Sequence, residues 1–127
     1  PDLKTMDKPK ILLVEDESII AMDLKVKLEQ QGYDVVSTAS SADDAVQAAK
    51  KYKPELILMD ILLKGEKTGI DASKQIQKNH NISIIYLTGN IHLLGDLKNK
   101  DHDYFKVLTK PPSEWELFDT IKQALNR

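Results

Sequence analysis

The feature that most constrains the fold is a short apolar run, residues 56–59, that ends in the carboxylate of Asp60. Pro54 precedes the run, and the turn-forming residues Gly65 and Gly69 follow it. Such a run is typical of a strand that is buried on both faces, as in a parallel sheet. Asp60 then lies at the carboxyl end of the strand, the edge where open α/β sheets bind ligands. The alternative is that Asp60 is only a turn or helix-capping residue.

Similar runs alternate with stretches of helical spacing along the whole chain. They predict further strands at residues 10–14, 33–38, 82–87 and 104–108. Between these strands, apolar residues recur every three or four positions, over roughly a dozen residues each time. The alternation predicts an α/β fold, a doubly wound parallel sheet of five strands with right-handed crossovers and helices on both faces.

The helix ends carry recognisable signals. We expect Ser18 or Asp16 to cap the first helix, and Ser113 to cap the last one with Glu116 at the capping-box position. The segment 91–103 has the weakest pattern, and we expect it to be a short, mobile helix.

Composition restricts the class of protein. The 127 residues suffice for one domain, which we expect to span residues 10–127 after a loose lead-in at 1–9. The net charge of −2 gives no broad basic surface, so we expect no direct contact with nucleic acid. The chain lacks cysteine, a signal peptide and an apolar run long enough for a membrane span, so we expect a cytoplasmic protein.

Five polar residues follow the predicted strands: Glu15, Asp16, Asp60, Thr88 and Lys110. In a parallel sheet the carboxyl ends of all strands meet at one edge, so these residues converge. Three neighbouring carboxylates repel one another unless a cation joins them, and hard oxygen ligands suit Mg²⁺ or Mn²⁺. A lysine and a threonine would neutralise the oxygens of a transferring phosphoryl group, which leaves one carboxylate as the nucleophile.

At this point the sequence resembles the receiver domain of two-component response regulators, from Lys10 to Leu125. The resemblance rests on four motifs in order, each after a predicted strand. They are Ile-Leu-Leu-Val-Glu15-Asp16-Glu, Leu-Ile-Leu-Met-Asp60-Ile, Ile-Ile-Tyr-Leu-Thr88-Gly and Leu-Thr-Lys110-Pro111. It implies a flavodoxin-like (βα)5 sheet with the strand order 2-1-3-4-5.

The resemblance also implies roles for the acidic residues. Asp60 would be the phosphoacceptor, Asp16 a direct Mg²⁺ ligand, and Glu15 a ligand that acts mainly through water. The backbone carbonyl of Leu62 would be the third protein ligand. The phosphoryl donor would be a histidine kinase or a phosphotransfer protein.

In the same way, Thr88 would follow the phosphoryl group and Lys110 would pair with it. The Lys110-Pro111 peptide bond is often cis in this family. Three residues before the lysine, where these domains usually carry a Tyr or Phe that changes rotamer on activation, this chain has Val107. The resemblance therefore does not extend to the usual aromatic switch.

Two other functions are compatible with these residues. A Mg²⁺-dependent phosphohydrolase would use the same aspartyl chemistry, but the haloacid-dehalogenase type carries a second acid where this chain has Leu62. The second alternative function is that of a receiver-like interaction domain that is never phosphorylated. In the leading interpretation, phosphorylation switches a protein partner that binds the face made by Asn90–Asp103, the fifth strand and the last helix, which carries Trp115.

Overall fold

The fold is known here from a computed structural model, which describes residues 8–90 and 103–126. Within these ranges the chain forms five strands: β1 (Lys10–Val14), β2 (Asp34–Ala39), β3 (Leu56–Asp60), β4 (Ser83–Thr88) and β5 (Lys106–Thr109). All neighbouring strands pair in parallel, in the order β2-β1-β3-β4-β5. The predicted flavodoxin-like order is therefore confirmed.

Four helices lie within the described ranges: α1 (Ser18–Gln30), α2 (Ala42–Tyr52), α3 (Gly69–Gln77) and α4 (Glu114–Leu125). Residues 91–102 of the helix predicted over 91–103, and residues 1–7 of the lead-in predicted at 1–9, lie outside the described residues. Among the helices within residues 8–90 and 103–126, none has both the length and the apolar composition that a membrane span requires.

The three central strands of the sheet, β1, β3 and β4, are buried on both faces because they are apolar at nearly every position. On one face, Leu12, Ile57 and Ile84 pack with α2 and α3, whose alanines allow close approach. On the other face, Leu13, Leu58 and the leucines of α1 and α4 form a second cluster. Helices on both faces agree with the predicted double winding.

The helix ends confirm some of the predicted caps and correct others. The Ser113 hydroxyl accepts a hydrogen bond from the Glu116 N–H, as predicted. The N-cap of α1 is Glu17, without a side-chain cap, so the assignment of Ser18 or Asp16 was wrong. Ser18 is already the first helical residue and Asp16 lies one residue before the N-cap, so neither occupies the capping position. The Glu15 carboxylate accepts a hydrogen bond from the Glu17 N–H at 3.1 Å.

Several strands start or end one or two residues later than the hydrophobic runs suggest. The reason is that main-chain pairing continues past the last apolar residue: Asp60 pairs with Leu87, and Thr88 with Thr109. Asp60 and Thr88 are therefore the last residues of rigid strands. Their positions are set by the sheet and not by the loops that follow.

Candidate phosphoryl-transfer site

The carboxyl edge of the sheet brings together residues from three segments of the chain. Glu15 and Asp16 follow β1, Asp60 ends β3, and Lys110 follows β5. The Lys110-Pro111 peptide bond is cis, as the resemblance implies. Glu15 and Asp60 are 4% and 5% exposed, which is unusual for carboxylates.

Lys110 is the cation that makes this burial tolerable. Its Nζ donates to Glu15 Oε1 at 2.6 Å and to Asp60 Oδ2 at 3.0 Å. Its side chain is 17% exposed, so the pairing takes place largely away from bulk water. Buried charges require such partners, because removing one partner leaves a desolvated charge behind.

The three acidic residues are close enough to share a metal ion. One carboxylate oxygen from each of Glu15, Asp16 and Asp60 lies within 4.8 Å of the other two. Asp16 is half-buried, so this corner of the cluster is open to solvent. An all-oxygen donor set of this kind suits a hard divalent cation such as Mg²⁺ or Mn²⁺.

The two buried carboxylates differ in acidity. Burial raises the pKa of Asp60 to about 6, and the negative charge of Glu15 adds to the increase. The hydrogen bond from Lys110 acts in the opposite direction but does not cancel it. Burial also acts to raise the pKa of Glu15, but the hydrogen bonds from Lys110 and from the Glu17 N–H outweigh it and hold that pKa below its ordinary value. Without a metal, Asp60 is therefore the member of the pair that takes a proton first.

The loop after Asp60 folds back on this site. The Leu62 N–H donates to Asp60 Oδ1 at 3.2 Å, so the main chain at this residue lies beside the carboxylate. Gly65 has a φ of +92° and makes the expected turn. Lys64 then bonds through its N–H to the Ser40 carbonyl at 3.3 Å, which ties the loop to the end of β2.

Gly69 has a different role from the turn that its sequence context suggests. It is the first residue of α3, and its N–H donates to the Ile61 carbonyl at 2.7 Å. A Cβ atom at Gly69 would overlap the main-chain oxygen of Asp60 and lie 2.9 Å from Met59 Cγ. The helix can approach the end of β3 only because this residue has no side chain. The glycine is visible in the sequence, but its close contact with the end of β3 could be seen only in the structure.

Thr88 is at the predicted edge, but its hydroxyl is engaged elsewhere. It donates to the Asn90 carbonyl at 3.2 Å and accepts from the Asn90 N–H at 3.1 Å. The side chain is buried, with 1% of the residue exposed. The structure therefore brings together Glu15, Asp60 and Lys110 by direct bonds, and holds Thr88 in a separate turn.

Aromatic side chains lie near Val107 but not at its position. Val107 is half-buried and pairs with Tyr86 across β4 and β5. The Tyr86 ring is fully buried and contacts Tyr104 edge-on, with ring centroids 5.5 Å apart. Burial raises the pKa of Tyr86 well above its ordinary value, so this phenol stays neutral.

A five-stranded parallel sheet with a buried Asp, a paired Lys and two further acids at its carboxyl edge defines a class of protein, the signalling receiver domains. The sequence profile of the response regulator receiver domain matches residues 11–122. The chain belongs to the response regulator receiver domain family.

Relatives in sequence and structure agree with this assignment. The transcriptional regulatory protein PdtaR of Mycobacterium tuberculosis is 32% identical over 118 residues, which cover 93% of this chain and 57% of the length of PdtaR. The receiver domain of PhyR from Erythrobacter litoralis is 33% identical with a TM-score of 0.84, and the match covers 95% of this chain and 92% of that one. The anti-anti-sigma factor PhyR from Bartonella quintana is 31% identical with a TM-score of 0.78, over 98% of this chain and 51% of that one.

Proposed function

We propose that this domain accepts a phosphoryl group on Asp60 from the phosphohistidine of a histidine kinase or phosphotransfer protein, and loses it again by hydrolysis. The observation that carries the proposal is the buried Asp60 carboxylate, bonded to Lys110 and clustered with two further acids. A surface turn residue would have no reason to be buried with a raised pKa and a dedicated cation.

In the transfer step, a carboxylate oxygen of Asp60 forms a bond to phosphorus while the phosphorus–nitrogen bond to the donor histidine breaks. The electron pair of that bond returns to the imidazole, which takes up a proton. Lys110 already donates a hydrogen bond to Asp60 Oδ2, so its ammonium is in position to neutralise negative charge on the incoming phosphoryl oxygens. In the return step, water attacks phosphorus, inorganic phosphate leaves and the Asp60 carboxylate is restored.

We propose that Asp16, Asp60 and Glu15 hold Mg²⁺, or Mn²⁺ in its place, with Glu15 acting mainly through water. The clustering of their oxygens within 4.8 Å supports this assignment. The Leu62 main chain lies beside Asp60, which supports its carbonyl as a further ligand. When bound, the cation neutralises charge on the phosphoryl oxygens.

The chemistry favours a receiver over a phosphohydrolase. A phosphohydrolase of the haloacid-dehalogenase type needs an acid two residues after its nucleophile, and Leu62 occupies that position with 52% of its surface exposed. The domain would thus catalyse only its own phosphorylation and dephosphorylation.

The chain has no cysteine, which suits a compartment in which proteins do not form disulfide bonds. We therefore propose that the exchange takes place in the cytoplasm.

The output partner is proposed to be a protein that binds the face of β5 and α4 and the segment Asn90–Asp103, of which residues 91–102 lie outside the described part of the chain. Trp115, in the first turn of α4, is 77% exposed, and aromatic residues of this kind often anchor interfaces. The name of the Bartonella relative, an anti-anti-sigma factor, also describes an output through proteins. We expect Trp115→Ala to weaken partner binding without changing phosphoryl uptake, and the exposed Lys122→Ala on the same helix to change neither.

Intact mass spectrometry tests the proposed transfer. The protein is incubated with Mg²⁺ and acetyl phosphate, beside Asp60→Asn and, as a matched control, Asp34→Asn at the exposed start of β2. We expect a gain of one phosphoryl group in the wild type and in Asp34→Asn, and none in Asp60→Asn or without a divalent cation. An equal gain in Asp60→Asn would place the acceptor elsewhere. No gain in the wild type, with Mg²⁺ binding shown separately, would favour the unphosphorylated interaction domain.

A further inference from the structure

The loop after the proposed acceptor, residues 61–68, is bonded to the main chain near Asp60 at both of its ends. The Leu62 N–H donates to Asp60 Oδ1, and the N–H of Gly69, just past the loop, donates to the Ile61 carbonyl. Between these bonds, residues 64–67 are all exposed, so hydrophobic burial contributes little to their position. Polar contacts with another part of the chain hold this stretch instead.

These contacts come from the corner between β2 and α2, residues 39–43. Ser41 and Lys64 form an isolated parallel β-bridge, and the Lys64 N–H donates to the Ser40 carbonyl at 3.3 Å. Lys67 Nζ donates to Asp43 Oδ1 at 3.1 Å. One main-chain bond and one ion pair therefore join the loop to a different βα unit.

The same corner is bonded to the segment that carries the other proposed metal ligands. The Ala39 carbonyl accepts from the Glu15 N–H at 2.9 Å. The corner is also fixed to its own helix, because the Ser41 hydroxyl caps α2 by accepting from the Asp44 N–H at 3.1 Å. It therefore connects the two segments of main chain whose spacing the metal site depends on.

We propose that the corner between β2 and α2 is a positioning element for the metal site: its bonds to Lys64 and Lys67 hold the loop of Leu62 in the arrangement that the cation requires. This inference rests on the proposed function and adds to it residues that affect cation affinity without touching the cation. A loop that is already ordered loses less conformational entropy when a ligand binds, so loosening it weakens binding. Contacts behind the direct ligands tune metal affinity in this way.

The ion pair separates positioning from simple charge, because its two members have opposite signs. Through long-range electrostatics alone, Lys67→Met would strengthen the binding of a cation and Asp43→Asn would weaken it. If the pair positions the loop, both substitutions weaken binding. We expect the dissociation constant for Mg²⁺, measured by isothermal titration calorimetry, to rise about threefold in each variant and no further in the double variant. Glu66→Gln, the exposed neighbour of Lys67, is the control for a lost negative charge and should have a smaller effect.

The main-chain bond is tested in the metal-free protein. Lys64→Pro removes the N–H that donates to Ser40, whereas Lys64→Ala removes the same charge and keeps the N–H. In chelator, we expect the Leu62 amide to exchange its hydrogen about fivefold faster in Lys64→Pro than in Lys64→Ala, as measured by NMR. Equal rates in the two variants would overturn the role of this bond. Both side chains of the ion pair are exposed, so its test does not depend on how proline affects the fold.

The calorimetric result decides between this inference and the proposed function. An unchanged or tighter affinity for Mg²⁺ in Lys67→Met would overturn the positioning role, and so would equal weakening in Asp43→Asn and Glu66→Gln. In both cases the wild type still binds Mg²⁺, and the proposed metal site stands. If the wild type binds no Mg²⁺, the proposed metal site is wrong and this inference falls with it.

Discussion

Asp60 is buried with a raised pKa, and that acidity has a consequence for stability. The folded protein holds a proton on Asp60 up to about pH 6, whereas the unfolded chain releases it near 3.8. As the pH rises between these values, the unfolded state loses its proton first, so the free energy of unfolding falls. At pH 7 the whole cost of this buried charge is present.

We therefore expect Asp60→Asn to stabilise the metal-free protein at pH 7. Asparagine carries no charge, and one pKa unit corresponds to about 1.4 kcal/mol, so the gain in the free energy of unfolding should be about 1–3 kcal/mol. Urea denaturation in the presence of a chelator measures it. The gain should vanish towards pH 4, and the exposed Asp34→Asn should show no such pH dependence. A less stable Asp60→Asn at pH 7 would contradict the raised pKa.

Lys110 is expected to contribute strongly to stability when no metal is bound. Lys110→Met keeps a long side chain but leaves Glu15 and Asp60 as two buried carboxylates without their cation. We expect the free energy of unfolding to fall by about 2–4 kcal/mol in chelator, and by less in millimolar Mg²⁺. Lys106→Met, at the exposed start of β5, the strand that Lys110 follows, is the control and should cost little. An equal loss with and without Mg²⁺ would argue against a shared cation site.

At this scale, residue types at strand ends predicted which side chains converge, because parallel pairing sends every carboxyl end to one edge. The chemical roles of all the site residues, from the acceptor Asp60 to the carbonyl of Leu62, stay predictions. Hydrogen-bond partners were not predictable from the sequence. The choice of the Thr88 hydroxyl for Asn90 depends on a side-chain rotation that no spacing encodes.

At the scale of elements, the start of α3 is the most sensitive point. Gly69→Ala forces a Cβ into the Asp60 carbonyl, so either the helix or the end of β3 must move. We expect a loss of about 2–3 kcal/mol in the free energy of unfolding and a slower phosphoryl uptake. Gly89→Ala is the matched control: its Cβ would meet nothing within 4 Å, and stability should change by less than about 1 kcal/mol. Equal losses in the two variants would show that the contact at Gly69 is unimportant.

Elements were predictable where the hydrophobic period was clear. The helix caps were less so, since α1 begins at Ser18 without a side-chain cap although two suitable residues precede or start it. The reason is one of position: the helix begins at Ser18, so Ser18 lies inside it and Asp16 lies one residue before the N-cap Glu17.

At the scale of the whole molecule, metal binding is expected to stabilise the fold, because the three acids meet only in the assembled sheet. A ligand that binds the folded state alone adds about 2.7 kcal/mol at one hundred times its dissociation constant. We expect Mg²⁺ to raise the unfolding temperature of the wild type and to have little effect on Asp16→Asn, as measured by calorimetry with and without chelator. Asp34→Asn should respond as the wild type does. A full response in Asp16→Asn would exclude that residue as a ligand.

The bond between Lys110 and Glu15 joins residues that are 95 positions apart in the chain. A chain that has not yet added its fifth strand has Asp60, the proposed acceptor, but not the cation that lies beside it in the finished sheet. The site is therefore complete only when the final strand is in place. If the proposed transfer is correct, only fully folded molecules take up the phosphoryl group. As the urea concentration rises, the amount of phosphorylated protein should fall in proportion to the fraction that remains folded.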